Sequence, residues 1–243
     1  MNIKSGFVSI VGKPNSGKST LLNAILGEKL SIITNKPQTT RKRVLGILSD
    51  ENSQIIFLDT PGVLDPKYLL QEKMMEHVTK SVADSDIVLF LIDLEADPEA
   101  ITILNEPVFK NILDWKGIQK ILILNKIDLS NEENIGKILK DDNINKMFSC
   151  IIPASAKEKY NIDKILNTII ELLPVHPKYY PDDQLSDEPE RFFVSEIIRE
   201  KIFEIYKEEV PYSAEVIIEE FYEREGRKDF IQAAVIVERE SQK

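Results

Sequence analysis

The chain has 243 residues, 42% of them hydrophobic, with 31 Lys+Arg against 41 Asp+Glu and a net charge of -10. That composition is globular, enough for one large domain or for a medium domain with a small one. No apolar run approaches the ~18 residues of a membrane-spanning helix, and the single cysteine, Cys150, excludes a disulfide framework and a multi-cysteine metal site.

Taken in order, the apolar runs predict strands at Phe7–Val11, Val44–Leu48, Gln54–Leu58, Ile87–Ile92, Ile121–Leu124 and Cys150–Ile152. Several lack polar alternation, as strands buried on both faces do. Helix-like stretches lie between them at Ser19–Leu26, Lys67–Ser81, Glu99–Asp114, Glu132–Asp141 and Ile162–Leu172. Strand–helix alternation implies an α/β fold: a six-stranded, mostly parallel sheet with helices on both faces. Pro174, Pro177, Pro181 and Pro189 then mark a linker over 174–189. Beyond it, Phe193, Ile197, Ile198, Ile202, Ile205 and Tyr206 predict one apolar helix face, which Pro211 is expected to end. Two alternating runs follow, Ala214–Ile218 and Ile231–Val237, with a turn at Glu223–Lys228 around Gly226. The tail therefore reads helix–strand–strand.

The chemistry is concentrated in the first part. Gly12-Lys13-Pro14-Asn15-Ser16-Gly17-Lys18-Ser19, followed by Thr20, fits the G-x-x-x-x-G-K-[ST] phosphate loop and sits where that loop belongs, after a strand and opening a helix. Its glycines let successive N–H groups point inward, and the helix N-terminus favours an anion. Lys18 is expected to reach the β- and γ-phosphates and Ser19 to ligate Mg²⁺. Because this loop begins at Gly12, no leader segment is expected ahead of it, and a reducing cytoplasm is the expected setting.

Three further motifs end later strands. In Asp59-Thr60-Pro61-Gly62, the acid suits Mg²⁺ through water and the Gly62 amide suits the γ-phosphate. In Asn125-Lys126-Ile127-Asp128, the Asp128 carboxylate accepts from the ring N–H and amino group of guanine, whereas adenine would present an acceptor there. Lys126 is expected along the base plane, with Asn125 tying this loop to the phosphate loop. Ser155-Ala156-Lys157 offers a backbone amide to guanine O6. Ligands of open α/β sheets bind at the carboxyl ends of the strands, which is where all four motifs fall.

Together these motifs resemble a guanine-nucleotide-binding G domain over residues 1–173. The GxPNxGKST form of the loop, Pro37-Gln38-Thr39-Thr40-Arg41, and DTPG followed by Val63 are similar to the Era family of bacterial GTPases. Arg191-Phe192, Glu196-Ile197-Ile198-Arg199-Glu200-Lys201 and Val210-Pro211-Tyr212-Ser213 resemble the entry to the type II KH domain of that family. The resemblance implies GTP hydrolysis and a role in small ribosomal subunit assembly. The implied partners are GTP or GDP, small-subunit ribosomal RNA and the 30S subunit. It also implies a cytoplasmic location, partly at the inner membrane through peripheral association. A switch threonine, Thr40 in preference to Thr39, would complete the Mg²⁺ shell. Asn15 could hold K⁺ against the phosphates in place of an arginine finger.

The tail departs from the family pattern. A complete KH domain needs a G-x-x-G loop to clamp the RNA backbone, and Gly226 is the last glycine before Ser241-Gln242-Lys243. Residues 190–243 are thus expected to be an incomplete KH domain, from truncation or as a natural short form. Residues 181–243 carry 9 basic and 18 acidic groups, so weak RNA binding is expected of this chain, and the ribosomal RNA and 30S partners are those implied for the full-length protein.

Val63 stands where many G domains place a water-orienting Gln, so intrinsic hydrolysis is expected to be slow; Arg41 or Arg43 is a candidate finger. Alternatives are a related GTPase with another task, in tRNA modification or membrane-linked signalling, and a GTP/GDP-binding scaffold with negligible hydrolysis. His77, His176, Trp115 and Cys150 read as surface or packing residues, and Lys137, Lys140 and Lys146 as a solvated pattern.

Overall fold

The computed structural model describes residues 2–34, 36, 39, 40, 43–206 and 210–238. Of the residues singled out from sequence, Pro37, Gln38, Arg41 and 241–243 lie outside these. The elements run β1 (Lys4–Gly12), α1 (Lys18–Leu26), β2 (Val44–Ser49), β3 (Ser53–Asp59), α2 (Leu69–Ala83), β4 (Ile87–Asp93), α3 (Ile101–Asn105) and α4 (Pro107–Leu113). They continue with β5 (Gln119–Asn125), a 3-10 turn (Ile127–Leu129), α5 (Glu132–Lys140), α6 (Asp142–Asn145), β6 (Cys150–Pro153) and α7 (Ile162–Leu172). The tail is α8 (Glu190–Ile205), α9 (Val210–Ser213), β7 (Glu215–Tyr222) and β8 (Phe230–Ile236).

Six strands form one sheet in the order β2-β3-β1-β4-β5-β6. Only β2 runs antiparallel, with Val44 opposite Asp59 and Ser49 opposite Gln54. The unbroken apolar run of β4 is explained by its two covered faces. Ile87, Leu89 and Leu91 join the core under α1 and α7, while Val88, Phe90 and Ile92 join the core under α2 to α5. Trp115 packs at the margin of the second core and Cys150 at the margin of the first.

The structure corrects four expectations. The helix expected over 99–114 is two helices, because Pro107 cannot donate an N–H and holds Glu106 extended at φ -71°, ψ 118°. The helix expected from Lys67 begins at Leu69. Asp141 leaves α5 to cap α6, accepting from the amides of Asn143 and Ile144. The tail helix ends at Ile205, before Pro211, which lies inside the short α9.

The expected apolar face of α8 is buried only in part. Ile202 is buried and Phe193 and Ile198 are half-buried, but Ile197, Ile205 and Tyr206 are exposed, whereas Arg199, Glu200 and Phe203 are buried. Hydrogen bonds from Arg199 to Thr39 and to Glu200 from Ile33 override the hydrophobic pattern. Strands β7 and β8 pair antiparallel as expected, with Val216 opposite Val235 and Gly226 in the turn at φ 69°.

No described residue between α7 and α8 is helical or in a named strand, yet the segment is not free. Ser5 N–H donates to Pro174 (3.2 Å), and the amides of Tyr179 and Tyr180 donate to Gln54 Oε1 (2.8 and 3.0 Å). The segment then covers the open edge of β2: Ile47 N–H donates to the Leu185 carbonyl (2.8 Å), and Ser186 Oγ donates to the Leu45 carbonyl (2.5 Å). An edge strand so covered is protected from pairing with another chain.

Phe90 is fully buried and makes edge contacts with Phe109 (5.7 Å) and Phe148 (5.3 Å). Phe90→Ala should lower unfolding free energy by about 3–5 kcal/mol, read from urea denaturation. A loss below ~1 kcal/mol would contradict this packing.

Candidate nucleotide site

A cleft of about 700 Å³ opens at the carboxyl ends of β1, β3, β5 and β6. Pro14, Asn15, Gly17, Lys18, Ser19 and Thr20 line one side of it. Thr40 and Gly62 line another, and Asn125, Lys126, Asp128, Ala156 and Lys157 line the far end. The four sequence motifs, separated by more than a hundred residues, therefore meet at one cavity.

Some of the expected residues support the cleft from behind. Gly12 accepts from the Val63 amide (2.9 Å) and from Lys18 Nζ (3.1 Å). The Ser16 carbonyl accepts from Asn125 Nδ2 (2.8 Å), and Asn125 Oδ1 accepts from the Ala156 amide (3.0 Å). Ser155 closes its own turn, its Oγ accepting from Glu158 N–H (3.2 Å). Lys13 turns outward to Glu106 (3.7 Å).

Both glycines that line the cleft are required by close approach. Gly17 has φ 98°, and a Cβ there would lie 2.4 Å from Asn125 Nδ2. A Cβ on Gly62 would lie 2.7 Å from the Pro14 nitrogen. The Asp59–Gly62 segment thus presses directly on the phosphate loop, and Thr60 Oγ1 donates to the Ile10 carbonyl (2.7 Å) to hold it.

Lys18 is buried, with Nζ donating to the carbonyls of Gly12 and Lys13 (2.9 Å to the latter). Burial lowers its pKa from 10.5 to about 8, against the pull of Asp59. Burial likewise raises the Asp59 carboxyl above the usual carboxylate range, opposed by Lys18 and by the hydrogen bond from Ser19. Both groups sit where an added charge of the right sign would restore their ionised forms.

Mg²⁺ prefers hard oxygen donors. Ser19 Oγ donates to Asp59 Oδ2 (2.9 Å) and lies 3.3 Å from Thr40 Oγ1. The other carboxylate oxygen, Asp59 Oδ1, is buried without a hydrogen-bond partner among the described residues. These three side chains fit the ion. Thr39 does not share the position: its hydroxyl contacts Thr34 Oγ1 and donates to the Lys36 carbonyl, both at 2.8 Å.

Two partners of Lys126, Asp93 and Glu95, were not singled out from sequence. Lys126, at φ 61°, places Nζ 2.6 Å from Asp93 and 3.2 Å from Glu95. Burial would lower its pKa, but these two carboxylates hold it above the usual lysine value. Asp93 ends β4, and that position at a strand's carboxyl end was the available signal. Ile32, Ile33 and Leu129 supply apolar walls of the cleft and carry no motif. Arg43 pairs with Asp84 at 3.4 Å.

Fold and cleft define a class, the P-loop GTPase domain. Residues 7–126 match the family described as 50S ribosome-binding GTPase. The chain is 45% identical over 240 residues to GTPase Era of Geobacter sp. (strain M21), covering 99% of this chain and 80% of that protein. It is 45% identical over 244 residues to the chloroplastic GTPase ERA1 of Zea mays, covering 100% of this chain and 58% of that protein. Among solved structures it is similar to Era in complex with MgGDPNP and nucleotides 1506–1542 of 16S ribosomal RNA, at 38% identity and a TM-score of 0.88. That match covers 98% of this chain and 80% of the other. A variant of Aquifex aeolicus Era bound to GDP·AlF4⁻ matches at 37% identity and a TM-score of 0.85, over 98% of this chain and 81% of that one. The chain belongs to the Era family of GTPases.

Gly17→Ala should cost about 1–3 kcal/mol of stability, from a strained positive φ and a displaced Asn125. It should also weaken GDP binding. Thermal melting with and without GDP checks both, and an unshifted melt with intact binding would contradict the geometry.

Proposed function

We propose that this chain is a GTP-hydrolysing switch acting in small ribosomal subunit assembly through ribosomal RNA. The observation that carries the reading is the likeness to Era bound to both MgGDPNP and a 16S ribosomal RNA segment. The proposed division is a G domain over 1–173, a linker over 174–189 and an incomplete type II KH domain over 190–243. The RNA contact is assigned to a complete KH domain with its G-x-x-G loop, and the acidic residues 190–243 by themselves should bind RNA weakly. The reading implies a cytoplasmic location, with any membrane association peripheral; among the described residues no helix is long and apolar enough to cross a membrane.

In the proposed reaction, water displaces GDP from the γ-phosphoryl group, and catalysis rests on positioning and charge stabilisation. The phosphate-loop amides from Asn15 to Thr20 hold the phosphates. Lys18, already fixed at the loop by two carbonyls, offsets the charge on the transferring group. Ser19, Thr40 and Asp59, the last through water, would hold Mg²⁺, which supplies charge neutralisation at the phosphates. The Gly62 amide serves the γ-phosphate, the Asp128 carboxylate reads guanine, and the Ser155–Lys157 turn offers a backbone amide to guanine O6. Asn125 keeps the base and phosphate ends in register.

Val63 is buried and donates its amide to Gly12, so the residue after Gly62 offers no side chain to orient water. Unassisted turnover should therefore sit near or below ~10⁻⁴ s⁻¹. Asn15, which lines the cleft at φ 63°, is the proposed K⁺ site.

Asp128→Asn should shift preference from GTP toward XTP, because the amide donates where xanthine accepts. The loss in GTP affinity should be about 10² or more. A competition assay that finds GTP affinity unchanged removes the guanine assignment. Hydrolysis should also run faster in KCl than in NaCl at equal ionic strength, and Asn15→Ala should erase the difference. Equal wild-type rates in the two salts would refute the K⁺ site.

A further inference from the structure

One turn of the tail helix grips the segment that delivers Thr40. Arg199 is buried although it carries a full charge. Its NH1 donates to the Thr39 carbonyl at 2.7 Å, across 160 residues of sequence. Its Nε donates to Glu196 Oε1 at 2.8 Å and its NH2 to Glu196 Oε2, so the carboxylate holds one edge of the guanidinium. The guanidinium carbon lies 5.8 Å from the ring centre of Phe203, itself buried and in edge contact with Tyr212. The group is thus oriented from two sides before it meets Thr39.

The neighbouring Glu200 is also buried and serves the other end of the same segment. Its Oε1 accepts from the Ile33 amide (3.1 Å) and its Oε2 pairs with Lys29 (2.6 Å). Ile33 and Thr40 both line the nucleotide cleft. Removing a charged side chain from water is expensive, and burying two adjacent ones on a surface helix is uncommon unless both are paired. Here Arg199 is paired with Glu196 of its own helix and Glu200 with Lys29, and both also reach backbone atoms near the cleft, at Thr39 and Ile33.

We propose that Arg199 is a positioning residue for GTP hydrolysis, acting through Thr40. The Thr39 carbonyl and the Thr40 nitrogen share a planar peptide unit. Holding that carbonyl restricts the Thr40 backbone, which carries Oγ1 to within 3.3 Å of Ser19 Oγ. Glu200 fixes the start of the segment, so the threonine is presented from a span anchored at both ends. The effect is selective for the triphosphate, since only the reaction and the GTP-bound shell use the Thr40 hydroxyl. This inference rests on the proposed reading of the cleft as a GTP-hydrolysing site.

The test uses the full chain and Arg199→Lys, which keeps a cation for Glu196 but loses the planar fork that serves Glu196 and Thr39 together. Single-turnover hydrolysis at saturating GTP and Mg²⁺ should slow about tenfold, the weight of one charged hydrogen bond. Equilibrium binding gives a readout apart from turnover. Affinity for the non-hydrolysable analogue GDPNP should fall about fivefold, while affinity for GDP stays within about twofold. A second variant, Arg199→Met with Glu196→Gln, leaves no buried charge unpaired and should repeat the pattern even where Arg199→Lys melts early. Wild-type turnover and GDPNP affinity in both variants would overturn the proposal, as would an equal loss of GDP and GDPNP affinity, which marks a structural role only. A wild-type chain that binds GDP and GDPNP but never hydrolyses GTP would overturn the hydrolytic reading, and this inference with it.

Discussion

The phosphate loop has no large apolar side chain to bury, so polar contacts hold it. Lys18 grips two of its carbonyls from within, and Asn125 ties it to the base end from outside. Asn125 donates to the Ser16 carbonyl and accepts from the Ala156 amide, with both halves of the group used and the residue buried. Gly17 must lack a side chain so that Asn125 can come this close. The loop expected at the phosphates, the loop expected at the base and the turn at Ser155 are thereby one cross-linked unit. Gly62 against Pro14 and the Val63 amide on Gly12 add the third strand end to it.

Charge is buried in two places, and each bears on the same hydroxyl. At the first, Lys18 and Asp59 face each other beneath the loop, each pushed toward its neutral form by burial. At the second, Arg199 and Glu200 of the tail enter the segment that carries Thr40. Buried ion pairs are weak evidence for stability, because desolvation offsets most of the attraction. Their value is geometric: a paired, hydrogen-bonded charge fixes direction where an apolar contact fixes only proximity. Thr40 lies between the two sets, 3.3 Å from Ser19 on one side and one residue from the Arg199 contact on the other.

Much of the first domain was legible because its signals are local. Ile87–Ile92 is apolar at every position because β4 has core on both faces. The glycine loop and the Asn125–Asp128 motif, which the structure brings to one cleft, stand out in the sequence because spacing within a few residues defines them. The break at Glu106–Pro107 was also written locally, in a proline, but the helical period across it hid the interruption. What was not legible is long-range. Nothing near Arg199 signals the Thr39 carbonyl, and the apolar period of α8 pointed to Ile197 and Ile205, which the structure leaves exposed. The partners of Lys126 were missed for the same reason, since Asp93 reaches it only through the β4–β5 pairing.

The covered edge of β2 has a mechanical meaning. The linker is last fastened to the sheet at Leu185 and Ser186, and α8 begins at Glu190. Four residue steps at full extension reach at most ~14 Å. While those two hydrogen bonds hold, the first turn of α8 is on a short leash and cannot be carried away from the sheet. Any movement of the tail would then be an arc about a pivot beside β2, and it would have to release the Arg199 and Glu200 contacts first. Small rotations near the pivot would become large displacements at the far end of the hairpin of β7 and β8.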